Sequence, residues 1–152
     1  MSRPSRVVAE APEPAEGGYD LAEQIGFIMR QAAQRHVSIF NEIMGSDLTP
    51  TQWAVLARLY QDGGSSQNLL GRQTAMDAAT IKGVVDRLLK RKLVQTKPDP
   101  EDGRRVIVEL TEAGVDYARE LLPKAETVTK VTLAPLATNQ RATLIALLKQ
   151  LR

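Results

Sequence analysis

The chain predicts a mostly α-helical fold with a small β-hairpin wing, a winged helix-turn-helix. Three observations carry that expectation. Leu93 to Thr111, LVQTKPDPEDGRRVIVELT, reads as two short strands around a charged turn with two adjacent arginines. A helix, a tight turn and a second helix come directly before it. Long helical periods flank both features.

Residues 1–18 contain Pro4, Pro12, Pro14, Gly17 and Gly18 and few large apolar side chains, and are expected to form a flexible tail. From Tyr19, Leu21, Ile25, Ile28, Ala32, Ile39 and Ile43 share one helical stripe, with Met29, Phe40 and Met44 beside it. A first helix is therefore predicted to about Met44, stopping near Gly45. Its stripe is wide for a helix at the edge of a small domain, which suits burial on two sides, one of them against a partner chain. Thr49 and Pro50 fit the N-cap and first position of a second helix that ends at Gly63-Gly64, with Trp53, Leu56 and Tyr60 on one face. Ser65 or Ser66 caps a short third helix. After a turn over Gln73 to Met76, Asp77 caps a fourth, whose buried stripe is Ile81, Val84, Val85 and Leu88.

Beyond Leu93 the period falls to two. Val106, Val108 and Leu110 alternate with Arg105, Ile107 and Glu109, as a half-buried strand requires, and Asp102-Gly103 supplies the turn. Thr111 caps a long fifth helix that Pro123 should bend or locally break and Pro135 should end. Thr138 is expected to cap a final helix carrying Leu144, Ile145, Leu147, Leu148 and Leu151.

Composition narrows the chemistry. The chain has 152 residues, no cysteine and one histidine, His36. Disulfides, thiol redox sensing and a zinc site of nitrogen and sulfur ligands are thus not expected, nor is any cofactor. No nucleophile–base pair or phosphate-binding glycine loop suggests an enzyme. The N-terminus lacks the apolar core of a signal peptide and no segment suits a membrane span, so a cytoplasmic location is expected. Charge is uneven: seven basic against two acidic residues lie between Ser66 and Lys97, in a chain of net charge +2. Such a cluster is the footprint expected of a polyanion-binding face.

Asp102-x-Arg104, five residues, then Leu110-Thr111 with Gly114 resembles the wing signature of the MarR (multiple antibiotic resistance regulator) family. IKGVVDRLLKRKLV, from Ile81 to Val94, is similar to that family's recognition helix and exit, and LTPTQWAVLARL to the opening of its second helix. The resemblance implies a homodimeric, DNA-binding transcriptional regulator. Residues 19–45 and 112–152 would dimerise, and residues 48–111 would form the DNA-binding lobe. It also implies a small effector, an aromatic carboxylate or its coenzyme A thioester, whose binding releases a near-palindromic double-stranded operator.

On that reading the fourth helix enters the major groove through Ala78, Ala79, Thr80, Lys82 and Gly83. Gly83 has two readings, close approach to DNA and close packing of helices. Ser66, Gln67 and Arg72 face phosphates. Of Arg104 and Arg105, one enters the minor groove and the other pairs with Asp86 or Asp102 to brace the wing. Lys90, Arg91 and Lys92 read either as a phosphate clamp or as the solvated end of a helix. Arg35, His36, Phe40 and Trp53 are candidates for an effector pocket, with core packing as the competing role for Trp53. The competing function is a winged-helix module that contacts proteins without specific DNA binding.

Overall fold

A computed structural model of the chain describes residues 17–152. The expected tail therefore lies, apart from Gly17 and Gly18, outside the described residues. The chain divides into two compact units, Met1–Ala33 and Gln34–Arg152. In the first, Asp20 caps a 3-10 turn over Leu21–Glu23 by accepting the Ala22 N–H at 2.9 Å. The helix α1 (Ile25–Met44) then begins, six residues after Tyr19. No described residue of this unit is buried, and Leu21, Ile25, Ile28 and Met29 are 43–64% exposed.

The second unit holds the end of α1, then α2 (Pro50–Asp62), β1 (Ser65–Ser66), α3 (Gln67–Gln73), α4 (Ala78–Lys90), β2 (Val94–Pro98), β3 (Val106–Leu110), α5 (Glu112–Leu133) and α6 (Thr138–Gln150). Thr49 and Gln52 close a capping box on α2, each side chain accepting the other's backbone N–H at 3.2 Å. One apolar cluster forms the core. It joins Phe40 and Met44 of α1 to Val55, Leu56 and Leu59 of α2, and to Ile81, Val84, Val85 and Leu88 of α4. The α4 stripe is the expected one. On α2 the buried face is Gln52, Val55, Leu56 and Leu59, while Trp53 and Tyr60 are only half-buried. The helix-turn-helix closes on Gly71, where a Cβ would stand 3.1 Å from the Met76 carbonyl oxygen and 3.3 Å from Ile81.

At the end of α4, Leu93 N–H donates to Leu88 O (3.1 Å) and Lys92 N–H to Leu89 O (2.9 Å), a Schellman turn. Lys92 takes its left-handed position (φ 57°), a place glycine usually fills. The turn swings the chain into an antiparallel sheet of order β1-β3-β2, with Val94 opposite Leu110 and Pro98 opposite Val106. β1 was not foreseen, because two residues are too few to set a period. Within β3 only Val108 is buried. Val106, expected to face inward, is 55% exposed, because the hairpin runs out beyond the core at that end.

The hairpin's base is fastened to α5. Thr111 donates its hydroxyl to Lys92 O (2.7 Å) and its N–H to Leu93 O (3.1 Å), and accepts the Gly114 N–H (3.0 Å). A Cβ on Gly114 would lie 1.9 Å from Leu93 O, so the first turn of α5 presses on main chain and only glycine fits. That contact explains the Leu110-Thr111 and Gly114 signature. α5 runs unbroken through Pro123 and ends at Leu133, two residues before Pro135. The cap of α6 is Ala137 rather than Thr138. Alanine's side chain offers no acceptor to the first turn, and only the reverse half of a capping box forms, Gln140 accepting the Ala137 N–H at 2.9 Å. α6 buries none of its residues, and Leu144, Ile145, Leu147, Leu148 and Leu151 are 36–71% exposed. Among the described residues no helix is long and apolar enough to cross a membrane.

Candidate nucleic-acid interface

Ser66 caps α3 by accepting the Leu69 N–H at 3.3 Å. Ser66, Gln67, Asn68 and Arg72 then face Arg105 and Val106 of the wing across a groove of about 500 Å³. The fold thus brings together Ser66, Gln67, Arg72 and Arg105. Asn68 was not anticipated, although it is an exposed polar residue in the same first turn as Gln67.

On α4, Asp77 accepts the Thr80 N–H at 2.7 Å, which holds its carboxyl below the ordinary range. Ala78, Ala79, Thr80 and Lys82 are exposed on the side away from the buried stripe, with Gly83 half-buried among them. The nearest neighbour a Gly83 Cβ would meet is the flexible end of Arg87, 3.7 Å away. Among the described residues no second helix comes within 4 Å of that Cβ, so the packing reading finds no partner there. Lys82 Nζ lies 2.7 Å from Asp86 Oδ2, both side chains exposed. Asp86, one of two residues expected to brace the wing, therefore pairs along its own helix. Such an exposed pair contributes about 0–1 kcal/mol, so a phosphate can take over Lys82 at small cost.

Asp102 organises the wing tip. Its Oδ1 accepts the Arg104 N–H at 3.1 Å, its carbonyl accepts the Arg105 N–H at 2.9 Å, and its Oδ2 lies 3.6 Å from Arg105 Nε. Farther down, Glu109 pairs with Lys97 and accepts from Gln95 Nε2 at 3.0 Å. The hydrogen bond from Lys97, then that from Gln95, holds the Glu109 carboxyl below its usual value.

Arg91 is tied into the protein rather than presented as a phosphate clamp. It donates to Asp47 O at 2.8 Å and to the Tyr117 hydroxyl at 3.2 Å, with its guanidinium carbon 5.3 Å from the Tyr117 ring centre.

A second, smaller cavity of about 170 Å³ lies among α1, α2 and α5, lined by His36, Phe40, Pro50, Trp53, Ala125, Val128 and Thr129. Three of the four expected pocket residues meet there. The fourth, Arg35, is not in the lining: it donates to the carbonyls of Thr132 (2.7 Å) and Val131 (3.2 Å) at the end of α5. His36 Nδ1 lies 2.9 Å from the Thr132 hydroxyl.

The MarR family model matches residues 46–105, the helix-turn-helix and the hairpin up to its arginine pair. The repressor NicR of Pseudomonas putida, an HTH-type transcriptional repressor, is 41% identical over 134 residues, 88% of this chain and 85% of that protein. The chain belongs to the MarR family. It is a DNA-binding transcriptional regulator with that family's winged-helix fold. Two solved structures share the fold closely. A probable transcriptional regulator from Pseudomonas aeruginosa is 52% identical, with TM-score 0.83, over 88% of this chain and 100% of that one. BpsR of Bordetella bronchiseptica, whose DNA binding is regulated by 6-hydroxynicotinic acid, is 39% identical, with TM-score 0.85, over 89% of this chain and 97% of that one. The candidate nucleic-acid residues of this MarR-family chain lie at the hairpin tip, on the exposed face of α4 and in the first turn of α3.

Proposed function

We propose that the chain is a homodimeric repressor that grips a near-palindromic operator and is released from it by a single-ring aromatic acid. The observation that carries the DNA reading is the open groove between α3 and the wing, with Arg72 and Arg105 on its walls and the small residues of α4 beside it. α4 would lie in the major groove, with Ala78, Ala79, Thr80, Lys82 and Gly83 toward the bases. Ser66, Gln67, Asn68 and Arg72 would hold phosphates. Arg105 lines the groove wall beside Asp102, while Arg104, at the tip and outside that lining, would enter the minor groove.

Dimerisation falls to residues 19–45 and 112–152, because the apolar side chains exposed there need cover. Residues 48–111 then form the DNA-binding lobe, and two half-sites would lie roughly 34–36 Å apart. Binding DNA implies a cytoplasmic protein, and the reading assigns it no catalysis. The effector site is the cavity lined by His36, Phe40 and Trp53. An apolar cavity of roughly 150 Å³ suffices for benzene, so about 170 Å³ takes one ring and leaves a coenzyme A carrier outside. The regulation of BpsR by 6-hydroxynicotinic acid supports that class of effector.

A gel shift against the DNA upstream of the chain's own gene tests this reading. Binding should survive excess unrelated DNA, weaken steeply between two salt concentrations and be reversed by 6-hydroxynicotinic acid. Binding that unrelated DNA removes completely contradicts the operator reading, and insensitivity to the acid contradicts the effector class.

A further inference from the structure

α5 carries three threonines in its last two turns, and they do not behave alike. Thr127 donates to the Pro123 carbonyl at 3.0 Å and Thr129 to the Ala125 carbonyl at 3.5 Å, each bonding back along its own helix. Thr132 instead faces another helix, with its hydroxyl 2.9 Å from Nδ1 of His36. The same residue is gripped a second time. Carbonyls at the end of a helix lose their regular helical partners, and Arg35 donates to those of Thr132 (2.7 Å) and Val131 (3.2 Å), the second of which also accepts the Ala134 N–H at 3.3 Å. A cation at that end also suits the helix dipole. Consecutive residues of α1 therefore hold Thr132 by main chain and side chain together.

We infer that Thr132 is a positioning residue for effector recognition: it donates its hydroxyl proton to Nδ1 of His36 and so fixes the ring with its remaining proton on Nε2. A neutral imidazole has one donor and one acceptor, so a hydroxyl that donates to Nδ1 leaves Nε2–H as the donor. His36 lines the cavity, so an Nε2–H directed into it would meet the carboxylate or ring oxygen of an aromatic acid. Arg35 serves the same end by keeping the end of α5 against α1. It is the tie behind the site, not the anchor inside it. The inference rests on the effector reading above for its consequence but not for its first test.

His36 is the only histidine and Trp53, also in the lining, the only tryptophan, so each reports without assignment. Long-range proton–nitrogen NMR of ¹⁵N-labelled protein, with the ring neutral, reads the tautomer. Wild type and Thr132→Ser should hold a single form with the proton on Nε2, and Thr132→Val should give a mixture. Titration with 6-hydroxynicotinic acid, followed by Trp53 fluorescence, should find Thr132→Val binding roughly tenfold more weakly and Thr132→Ser close to wild type. A proton on Nδ1 in wild type, or Thr132→Val with the wild-type tautomer and affinity, overturns the inference. Should the acid leave wild-type fluorescence unchanged, the effector reading fails on its own, and the tautomer measurement still decides the role of Thr132.

Discussion

Gly83→Ala separates the two roles a glycine can have inside a recognition helix. Glycine in a helix interior is about 1 kcal/mol less favourable than alanine. The added Cβ would meet only Arg87 Nη1 at 3.7 Å, an ordinary contact with a flexible side chain, so no steric cost offsets that gain. Stability should therefore rise by about 1 kcal/mol, roughly 2–4 °C in melting temperature for a chain of this size. The same methyl would stand on the face of α4 proposed to meet the duplex, where it would push the backbone off the base edges. Operator affinity should fall by roughly the value of one base contact, about 1–3 kcal/mol. Urea denaturation measures the first effect and fluorescence anisotropy with labelled operator the second. A stabilised variant that binds operator as tightly as wild type would remove Gly83 from the interface. A destabilised one would mean that the glycine is needed for packing after all.

Gly114→Ala places a Cβ 1.9 Å from Leu93 O and should destabilise beyond the roughly 0.5–3 kcal/mol common for single substitutions, read as a collapse of the urea midpoint. Thr111→Ala removes both the α5 cap and the tie to Lys92 O, and should cost about 1–2 kcal/mol in the same assay while leaving the slope with urea unchanged. Lys97 and Gln95 hold the Glu109 carboxyl below its ordinary 4.5, so its contribution to stability is present above about that pH and is lost as pH falls through the lower folded value. Glu109→Gln should accordingly flatten the acid limb of stability against pH; an unchanged limb would mean that the pair contributes nothing. Arg104→Ala and Arg105→Ala should both weaken operator binding with the dimer intact by sedimentation, and a dissociated dimer in either variant would contradict the division into lobes.

What the sequence made legible was whatever one element determines by itself. The α4 stripe of Ile81, Val84, Val85 and Leu88 could be read because the core lies on one side of that helix, so period equals burial. The caps at Thr49, Asp77 and Thr111 could be read because each acts within three residues. Val106 was misread because alternation predicts an inward face only where there is a core to face, and the hairpin tip has none. Side-chain chemistry favours Thr138 as a cap, whereas the cap falls one residue earlier at Ala137, whose own N–H is taken by a glutamine three residues farther on. Distance along the chain set the limit for the sites. Arg91 meets Tyr117 26 residues away, and His36 meets Thr132 96 away, and no local period carries such pairings. The candidate DNA residues needed only the order of their elements to be grouped, while the role of Arg35 needed the packing of α1 on α5.

The central claim is that α3, α4 and the wing form one duplex-gripping surface. Hydroxyl-radical footprinting on the chain's own upstream DNA, with wild type and Arg104→Ala, tests it most directly. The account predicts two protected stretches about one helical turn apart with wild type, and loss in the variant of the minor-groove protection flanking each. A wild-type footprint confined to one stretch, or an unchanged pattern in the variant, would contradict it.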